Sequence, residues 1–203
     1  MLRSGEVDLE HLLRHGFWHR AGLLLMLAGM SVLTLPLVLH VQAVHSQNVL
    51  EYQWENAPAE TRGRGDAATW RDQPGGPLTK LVIPKIGLEA VVVEGTTPEL
   101  LAKGPGRFPD SAMPSEAGNC CIAGHRNVYG SWFRRLDRLA VGDTVLLRRC
   151  DTEFTYQVTD VFTTSPDNLY VLEQTSEPTL TLITCTPAPR PTRRLIVVSR
   201  IGR

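Results

Sequence analysis

Aromatic side chains are scarce in this chain of 203 residues, at 6%, and 21 Lys and Arg residues are balanced by 21 Asp and Glu residues. The zero formal net charge gives no support for a nucleic-acid-binding protein, because such proteins need a basic excess to neutralise phosphates. None of the four cysteines belongs to a CxxC pair, so a structural zinc site is not expected. The hydrophobic content of 42% excludes wholesale disorder.

The cysteines at 120, 121, 150 and 185 limit the disulfides that the chain can form. Adjacent strand residues point to opposite faces, which disfavours a bond between Cys120 and Cys121. A disulfide from Cys150 to either of these two stays open. With either pairing, at least one of these thiols stays outside a disulfide and needs an explanation in an exported protein.

An uncharged run of 24 residues, 21–44, predicts a transmembrane helix. A bilayer core is crossed by about 20 apolar residues in a helix. Pro36 and His40 lie within the run, but membrane helices tolerate such interruptions. The length favours an uncleaved anchor over a cleaved signal peptide, whose apolar region is about 7–15 residues long.

The charges that flank this run predict its orientation. Arg14 and Arg20 precede it, and no Lys or Arg follows until Arg62. The positive-inside rule therefore predicts a single-pass protein of the cell membrane, with residues 1–20 in the cytoplasm and the rest outside. Residues 45–77 show no sustained apolar period and are predicted to form an extracellular stalk, helical near the membrane and loose near its end.

Short apolar runs separated by turns predict a mainly β domain over residues 78–203. The predicted strands are 78–83, 88–95, 118–124, 143–150, 153–162, 178–185 and 193–201. Short helices are expected at 97–104, where a Thr cap precedes Pro, and at 131–139, with Trp132, Leu136 and Leu139 on one face. This pattern is typical of a barrel or a sandwich of seven or eight strands.

Three residues that can carry chemistry stand at the ends of predicted strands. Cys185 ends one strand, where a thiol can be exposed, although a strand cysteine is more often an inert small hydrophobe. His125 follows another strand and is the only histidine after residue 45, which makes it the sole candidate general acid or base of the domain. Arg193 and Arg194 open the last strand; arginine there is commonly solvated, but a fixed guanidinium can stabilise an oxyanion.

Four segments resemble the sortase family, in the order that sortases show. TLITC at 181–185 resembles the family's TLxTC motif, and IAGHR at 122–126 is similar to the segment that carries its histidine. RRLIVV at 193–198 resembles the strand that carries its arginine. IPKIGLEAVVVEG at 83–95 resembles its first strand pair. The likeness covers about residues 78–203, and the spacing from GHR through a short helix to Gly-Asp most resembles classes D and E.

The resemblance implies a fold and an activity. The fold is a closed β-barrel of about eight strands with short helices, preceded by one transmembrane helix. The activity is that of a membrane-anchored cysteine transpeptidase of the Gram-positive surface. Such an enzyme cuts an LPxTG-like sorting signal between Thr and Gly, and passes the acyl group to an amine of the cell-wall precursor or of a pilin lysine.

The resemblance also implies roles for individual residues. Cys185 would be the nucleophile, His125 the acid and then the base, and Arg194 the oxyanion donor. Arg194 is preferred to Arg193 because the hydrophobic quartet 195–198 follows it directly, but Arg193 stays open. Thr184 would contact the substrate backbone or lie on the strand surface.

The loops 163–178 and 186–192 are expected to wall the substrate groove. Leu169, Val171 and Leu172 would touch a Leu-Pro signal or, as we prefer, pack in the core. Acidic residues at 89, 94, 99 and 110 are scattered, so no metal is expected, and no cofactor either.

A papain-like peptidase and a non-catalytic binding module are the alternatives to the transpeptidase. A papain-like peptidase would place its cysteine before its histidine and on a helix, whereas here His125 comes first and Cys185 ends a strand. The remaining alternative is a membrane-tethered β-barrel module that binds a partner without catalysis, in which Cys185 would be an inert core residue.

Overall fold

The computed structural model describes residues 9–56, 74–149, 152–186 and 192–202. It divides into two compact units, with the boundary between Val38 and Leu39. Helix α1 spans Leu9–Asn56. The first unit contains its N-terminal part, which is long and apolar enough to cross a membrane, with the apolar window fully exposed. This helix is the candidate for the transmembrane span that the sequence predicts.

The second unit contains a closed β-barrel, as the sequence predicts. Its strands are β1 (Pro77–Ile83), β2 (Leu88–Glu94), β3 (Gly106–Arg107), β4 (Asn119–Ala123), β5 (Thr144–Arg149), β6 (Thr152–Thr164), β7 (Thr179–Cys185) and β8 (Arg194–Ile201). Around the barrel they follow the order β1-β2-β3-β4-β7-β8-β6-β5, and β5 pairs with β1 to close it. Most neighbours are antiparallel, but β2 with β3 and β4 with β7 are parallel.

Alternating side chains separate the barrel interior from its outer face. In β7, Leu180 and Leu182 belong to the interior cluster, whereas Ile183 belongs to a separate cluster on the outer face. The interior is filled by large apolar side chains, among them Leu81, Ile83, Val92, Ile122, Leu147, Tyr156 and Val197. Side chains that could react with a substrate are therefore expected on the outer face and the rims of the barrel, not in its interior.

Strand β3 is too short to be predicted from alternation, and a buried ion pair holds it in place. Arg107 Nε and Nη2 donate to the two carboxylate oxygens of Glu94 at 2.8 and 2.6 Å. Both side chains are fully buried, and Arg107 also donates to the carbonyl of Ser111. Removing one partner of such a pair strands a buried charge, at a cost of about 3–5 kcal/mol.

The predicted helix at 131–139 is instead a pair of 3₁₀ turns, Tyr129–Ser131 and Leu136–Arg138. Phe133, Leu136 and Leu139 point into the interior cluster, while Trp132 is only half-buried. Residues 129–131 all have positive φ, between +48° and +81°. A right-handed α-helix cannot accommodate these values, so the chain turns here instead of forming the predicted helix. The helix predicted after residue 97 is present as α2 (Pro98–Leu101).

The C-terminal part of α1 packs against the outside of β2, which differs from the predicted stalk. Ala43, Leu50 and Trp54 are buried, and the last two join Val91 and Val93 in a small apolar cluster. Fully burying a side chain such as Leu contributes about 1.5–3 kcal/mol. The compact unit thus begins before the predicted boundary at residue 78, because a long-range contact organises residues that look like a linker.

Gln47 hydrogen-bonds to the part of β2 that the short strand β3 does not cover. Its Oε1 accepts from Val91 N at 2.8 Å, and its Nε2 donates to Val91 O and Lys103 O, each at 3.0 Å. A Cβ on Gly104 would lie 2.1 Å from Gln47 Nε2, so this approach requires glycine. The side chain thereby replaces one residue of a neighbouring strand.

Gln47→Leu should destabilise the barrel, because the Val91 amide and two carbonyls would lose their partner. The expected loss is about 1–3 kcal/mol, which lowers the Tm of a domain this size by about 2–4 °C for each kcal/mol. The measurement is thermal unfolding of the full chain in detergent, followed by near-ultraviolet circular dichroism.

Gln53→Leu is the matched control, since Gln53 lies on the same helix but is exposed. Equal Tm values for the two variants would show that the Gln47 contact does not stabilise the barrel.

Candidate active site

The parallel pairing of β4 with β7 brings the two strands to the same rim of the barrel. Cys121 pairs with Thr181, and Ala123 pairs with Ile183. His125 and Cys185 each stand two residues beyond the Ala123–Ile183 pair. Because the two strands run in parallel, both residues are delivered to the same rim of the barrel.

The antiparallel pairing of β7 with β8 adds Arg194 to this rim. Cys185 and Arg194 are directly opposed in register, and Arg194 Nη1 lies 3.2 Å from Cys185 Sγ. Arg193 is exposed, and its Nη2 donates to Thr163 O at 3.1 Å. Of the two arginines that the sequence left open, Arg194 is the one in contact with the thiol.

The backbone around His125 is fixed by contacts to both β7 and the following turn. Gly124 N donates to Ile183 O, and Phe133 N donates to His125 O, each at 3.1 Å. A Cβ on Gly124 would lie 2.8 Å from the ring of Phe133, so only glycine lets the ring pack here. The glycine before the histidine is therefore required by core packing.

Thr184 lies on the inner face of β7, not on the substrate side. Its side chain is buried, and Oγ1 donates to Gly124 O at 2.8 Å. The expectation that Thr184 contacts a bound peptide does not fit this position, because alternation turns it away from Cys185. Its hydroxyl instead holds the end of β4 from which His125 projects.

Partial burial controls the protonation of His125. The loss of hydration lowers its pKa from the ordinary value near 6.5, because burial disfavours the charged imidazolium. The ring of Tyr129 contacts it, with centroids 5.3 Å apart. The neighbouring Arg126 is buried and donates to Asp137 at 2.9 Å, which anchors the turn after His125.

The accessible thiol of the described residues is Cys185. It is half-buried, whereas Cys120 and Cys121 are free but fully buried thiols. Burial raises the pKa of Cys120 and raises that of Cys121 to about 12. Cys150, the candidate disulfide partner, lies outside the described residues. The two buried cysteines are small core side chains, which accounts for the excess thiols in the sequence.

A cavity of about 500 Å³ lies on the outer face of β7, where Thr179 and Thr181 border it. Nearer to Cys185 the outer face carries a buried apolar cluster of Cys121, Ile183 and Ile196. Phe162, Val171 and Leu172 pack against this cluster. Val171 and Leu172 thus pack as preferred from the sequence, but Leu169 is 69% exposed. Of the second expected wall, residues 187–191 lie outside the described ranges.

The sequence matches the family model of the sortase domain over residues 81–201. The chain belongs to the sortase family. It is 30% identical over 174 residues to sortase SrtE1 of Streptomyces coelicolor, covering 78% of this chain and 47% of that protein. It is 35% identical over 121 residues to sortase D of Bacillus subtilis, covering 59% of this chain and 60% of that one.

Among solved structures, a sortase D5 transpeptidase of Clostridium perfringens is similar to this sortase with a TM-score of 0.68 and 32% identity, covering 80% of this chain and 99% of that one. The chain spans about half of the Streptomyces protein and three fifths of the Bacillus protein. The barrel of this sortase is thus shared with proteins of both class D and class E, in line with the predicted resemblance.

The sequence did not single out Gly124, Phe133 or Tyr129, which support the histidine of this sortase. Gly124 stands in the family-like segment, so a glycine directly after a strand and before a histidine was the available signal. The burial of Phe133 is not predicted from the sequence, because the expected α-helical face runs through Trp132. Tyr129 has φ +48°, an unusual value for a residue with a side chain, and no sequence pattern predicts it.

The pKa of His125 should lie below 6.5 in the folded sortase and rise in Tyr129→Ala, because the smaller side chain lets water reach the imidazole. Between the folded and unfolded pKa values the unfolded chain binds more protons. His125 therefore contributes stability above pH 6.5 that is lost as pH falls through the folded pKa. Deuterium exchange at the imidazole carbon, followed by mass spectrometry across pH, measures the midpoint.

Tyr52→Ala serves as the control, since Tyr52 is exposed on α1. A midpoint at or above 6.5 in the unmodified chain would contradict the assignment, and so would equal shifts in the two variants.

Proposed function

We propose that this sortase is a cysteine transpeptidase that cleaves an LPxTG-like sorting signal and transfers the acyl group to an amine. Sortases act on sorting signals, and the acceptor here would be an amine of the peptidoglycan precursor or of a pilin lysine. The observation that carries the proposal is the 3.2 Å contact from Arg194 Nη1 to Cys185 Sγ. It joins a half-buried thiol to a fixed cation on the rim where β4 delivers His125.

In the first half of the reaction, Cys185 Sγ attacks the carbonyl carbon of the signal threonine as its thiol proton passes to the neutral imidazole of His125. Charge develops on the carbonyl oxygen, and Arg194 donates to it, as an oxyanion donor should. The C–N bond to glycine then breaks, and His125 transfers a proton to the departing amine. The product is a thioester between Cys185 and the threonine carbonyl.

In the second half, His125 has given up its proton and acts as a base. It takes a proton from the incoming amine as the amine nitrogen attacks the thioester carbon, and Arg194 again holds the oxyanion. The C–S bond breaks, the new amide leaves, and His125 returns the proton to Cys185 Sγ, which restores the thiol and the neutral imidazole. The lowered pKa of His125 suits this step, because the neutral imidazole is available at neutral pH.

The cavity beside β7 lies within reach of the acyl part of the signal. Thr181 borders it and stands four residues before Cys185, which corresponds to about 13 Å at 3.3 Å per residue. An extended peptide with its scissile carbonyl at Cys185 would run from there along β7 toward this cavity. The exposed side chain of Leu169 would meet the leucine end of the signal.

Sortases are membrane-associated, and the apolar part of α1 supplies the candidate anchor of this one. We propose a single pass with residues 1–20 in the cytoplasm and the barrel outside the cell. The arginines before the apolar run, and the absence of Lys and Arg from the 17 positions after it, 45–61, support this orientation. An exported barrel would meet sorting signals as they leave the membrane.

Cys185→Ala should abolish both cleavage and transfer while leaving the fold intact, because the thioester cannot form. The assay presents the full chain in detergent with a library of LPxTG-like peptides, with and without hydroxylamine as a soluble amine. Intact-mass spectrometry should detect an acyl adduct on the unmodified chain and a hydroxamate product.

The near-ultraviolet circular dichroism of Cys185→Ala reports the fold. Undiminished cleavage by this variant would refute the proposed nucleophile. An unmodified chain that binds a peptide, forms no adduct with any library member and has an inert Cys185 would favour the non-catalytic binding module.

Arg194→Gln should lower kcat/KM by about 10²-fold, the effect expected from losing one oxyanion donor. Most of the loss should fall on kcat, because the guanidinium acts on charge that develops in the transition state. Arg193→Gln is the matched control, since its side chain bonds to Thr163 O and not to the thiol. A larger loss in Arg193→Gln would reverse the assignment of the two arginines.

A further inference from the structure

A second cavity, of about 310 Å³, lies away from the active site, on the side of the barrel next to α1. His40 lines it from α1, and residues 86–89 line it from the turn before β2 and the start of that strand. Residues 130–132, 134 and 135 form its remaining wall. Its volume is at the lower end of the range for small-ligand sites. Neither Cys185 nor His125 borders it, so the transpeptidase mechanism leaves it unused.

The charges around this cavity are predominantly positive. Arg134 and Arg135 line it, and Arg135 Nη1 donates to Ile86 O at 3.4 Å, which turns that guanidinium toward the cavity wall. Within the described ranges, no carboxylate forms an ion pair with either arginine.

The nearby acids are already committed to other cations. Glu89, the acid in the lining, pairs with Lys80 at 2.6 Å. Asp137 pairs with Arg126 at 2.9 Å, and Asp143 pairs with Lys85 at 2.7 Å. Lys80 also pairs with Glu51 at 2.5 Å, so it offsets Glu89 only in part. Two arginines against this one carboxylate leave the cavity lining net positive, and its complement is an anion.

His40 stands near the end of the predicted membrane span in the sequence. The apolar run begins directly after Arg20, and about 20 helical residues, rising 1.5 Å each, cross a bilayer core of about 30 Å. A span that starts at residue 21 would therefore end near residue 40, which is the residue of α1 that lines the cavity.

We propose that this cavity binds the phosphate of an anionic phospholipid headgroup in the outer leaflet, through Arg134 and Arg135. The half-buried Trp132 in the same lining is a residue type enriched at membrane interfaces. This inference rests on the proposed membrane placement but not on the proposed chemistry. Headgroup binding would fix the rotation of the barrel against the membrane surface. It would thereby also fix the direction in which the rim with Cys185 faces.

The test uses the full chain in nanodiscs of phosphatidylcholine alone, or with one third of the lipid replaced by phosphatidylglycerol. Hydrogen–deuterium exchange of residues 84–89 and 129–139 should slow in the anionic discs, and the protection should weaken as ionic strength rises. The double variant Arg134→Gln/Arg135→Gln should lose this protection. Its headgroup affinity should fall about 30-fold, because each arginine near an anionic surface contributes a factor of about five.

Arg138→Gln is the matched control, because Arg138 is exposed in the same segment but does not line the cavity. It should keep the protection, and both variants should keep the unmodified Tm and peptide cleavage in neutral discs. Equal exchange in the two kinds of disc, or protection that survives in the double variant, would overturn the proposal. Equal protection by inorganic phosphate in neutral discs would assign the cavity to a soluble anion instead.

The outcomes separate this inference from the proposed function. Cleavage that persists without any effect of phosphatidylglycerol would reject headgroup binding alone. A chain that fails to insert into either kind of disc would reject the membrane placement and the headgroup site together, while the cleavage assay in detergent would still report on the transpeptidase.

Discussion

The active-site rim depends on the register of one parallel strand pair. Because β4 and β7 run in the same direction, both strands end at the same edge of the barrel, and Ala123 lies opposite Ile183. A slip of one residue would turn either His125 or Cys185 toward the interior, since side chains alternate along a strand. The hydrogen bonds from Gly124 N and Thr184 Oγ1 oppose such a slip at the position where it would matter most.

The filled interior explains why the chemistry lies on the outside of the barrel. Leu180 and Leu182 occupy the inner face of β7, so the thiol two positions further along the opposite face points to the rim. β8 repeats this division, with Val197 inside and Arg194 on the outer face beside the sulfur. A packed core thus fixes the guanidinium and the thiol to strands that cannot shift independently.

Local patterns predicted what depends on alternation and missed what depends on distant contacts. Seven strands, the closed barrel and the strand-end positions of Cys185 and Arg194 follow from period-two runs and the family motifs. Strand β3 has two residues, too few for a period, and exists because Arg107 pairs with Glu94. The motif gives the identity of Thr184 but not its burial, which depends on the bond from its Oγ1 to Gly124 O.

The C-terminal part of α1 packs on β2, which gives the segment after the apolar run a structural role. A stalk would let the barrel move freely, whereas Gln47 supplies both a donor and an acceptor to Val91 and so belongs to the barrel edge. Removing residues 39–56 would expose that edge together with Val93, and unpaired strand edges with apolar neighbours promote association between chains. The segment after the apolar run is therefore also a structural part of the barrel unit, because the buried side chains of Ala43, Leu50 and Trp54 pack within one continuous stretch of α1.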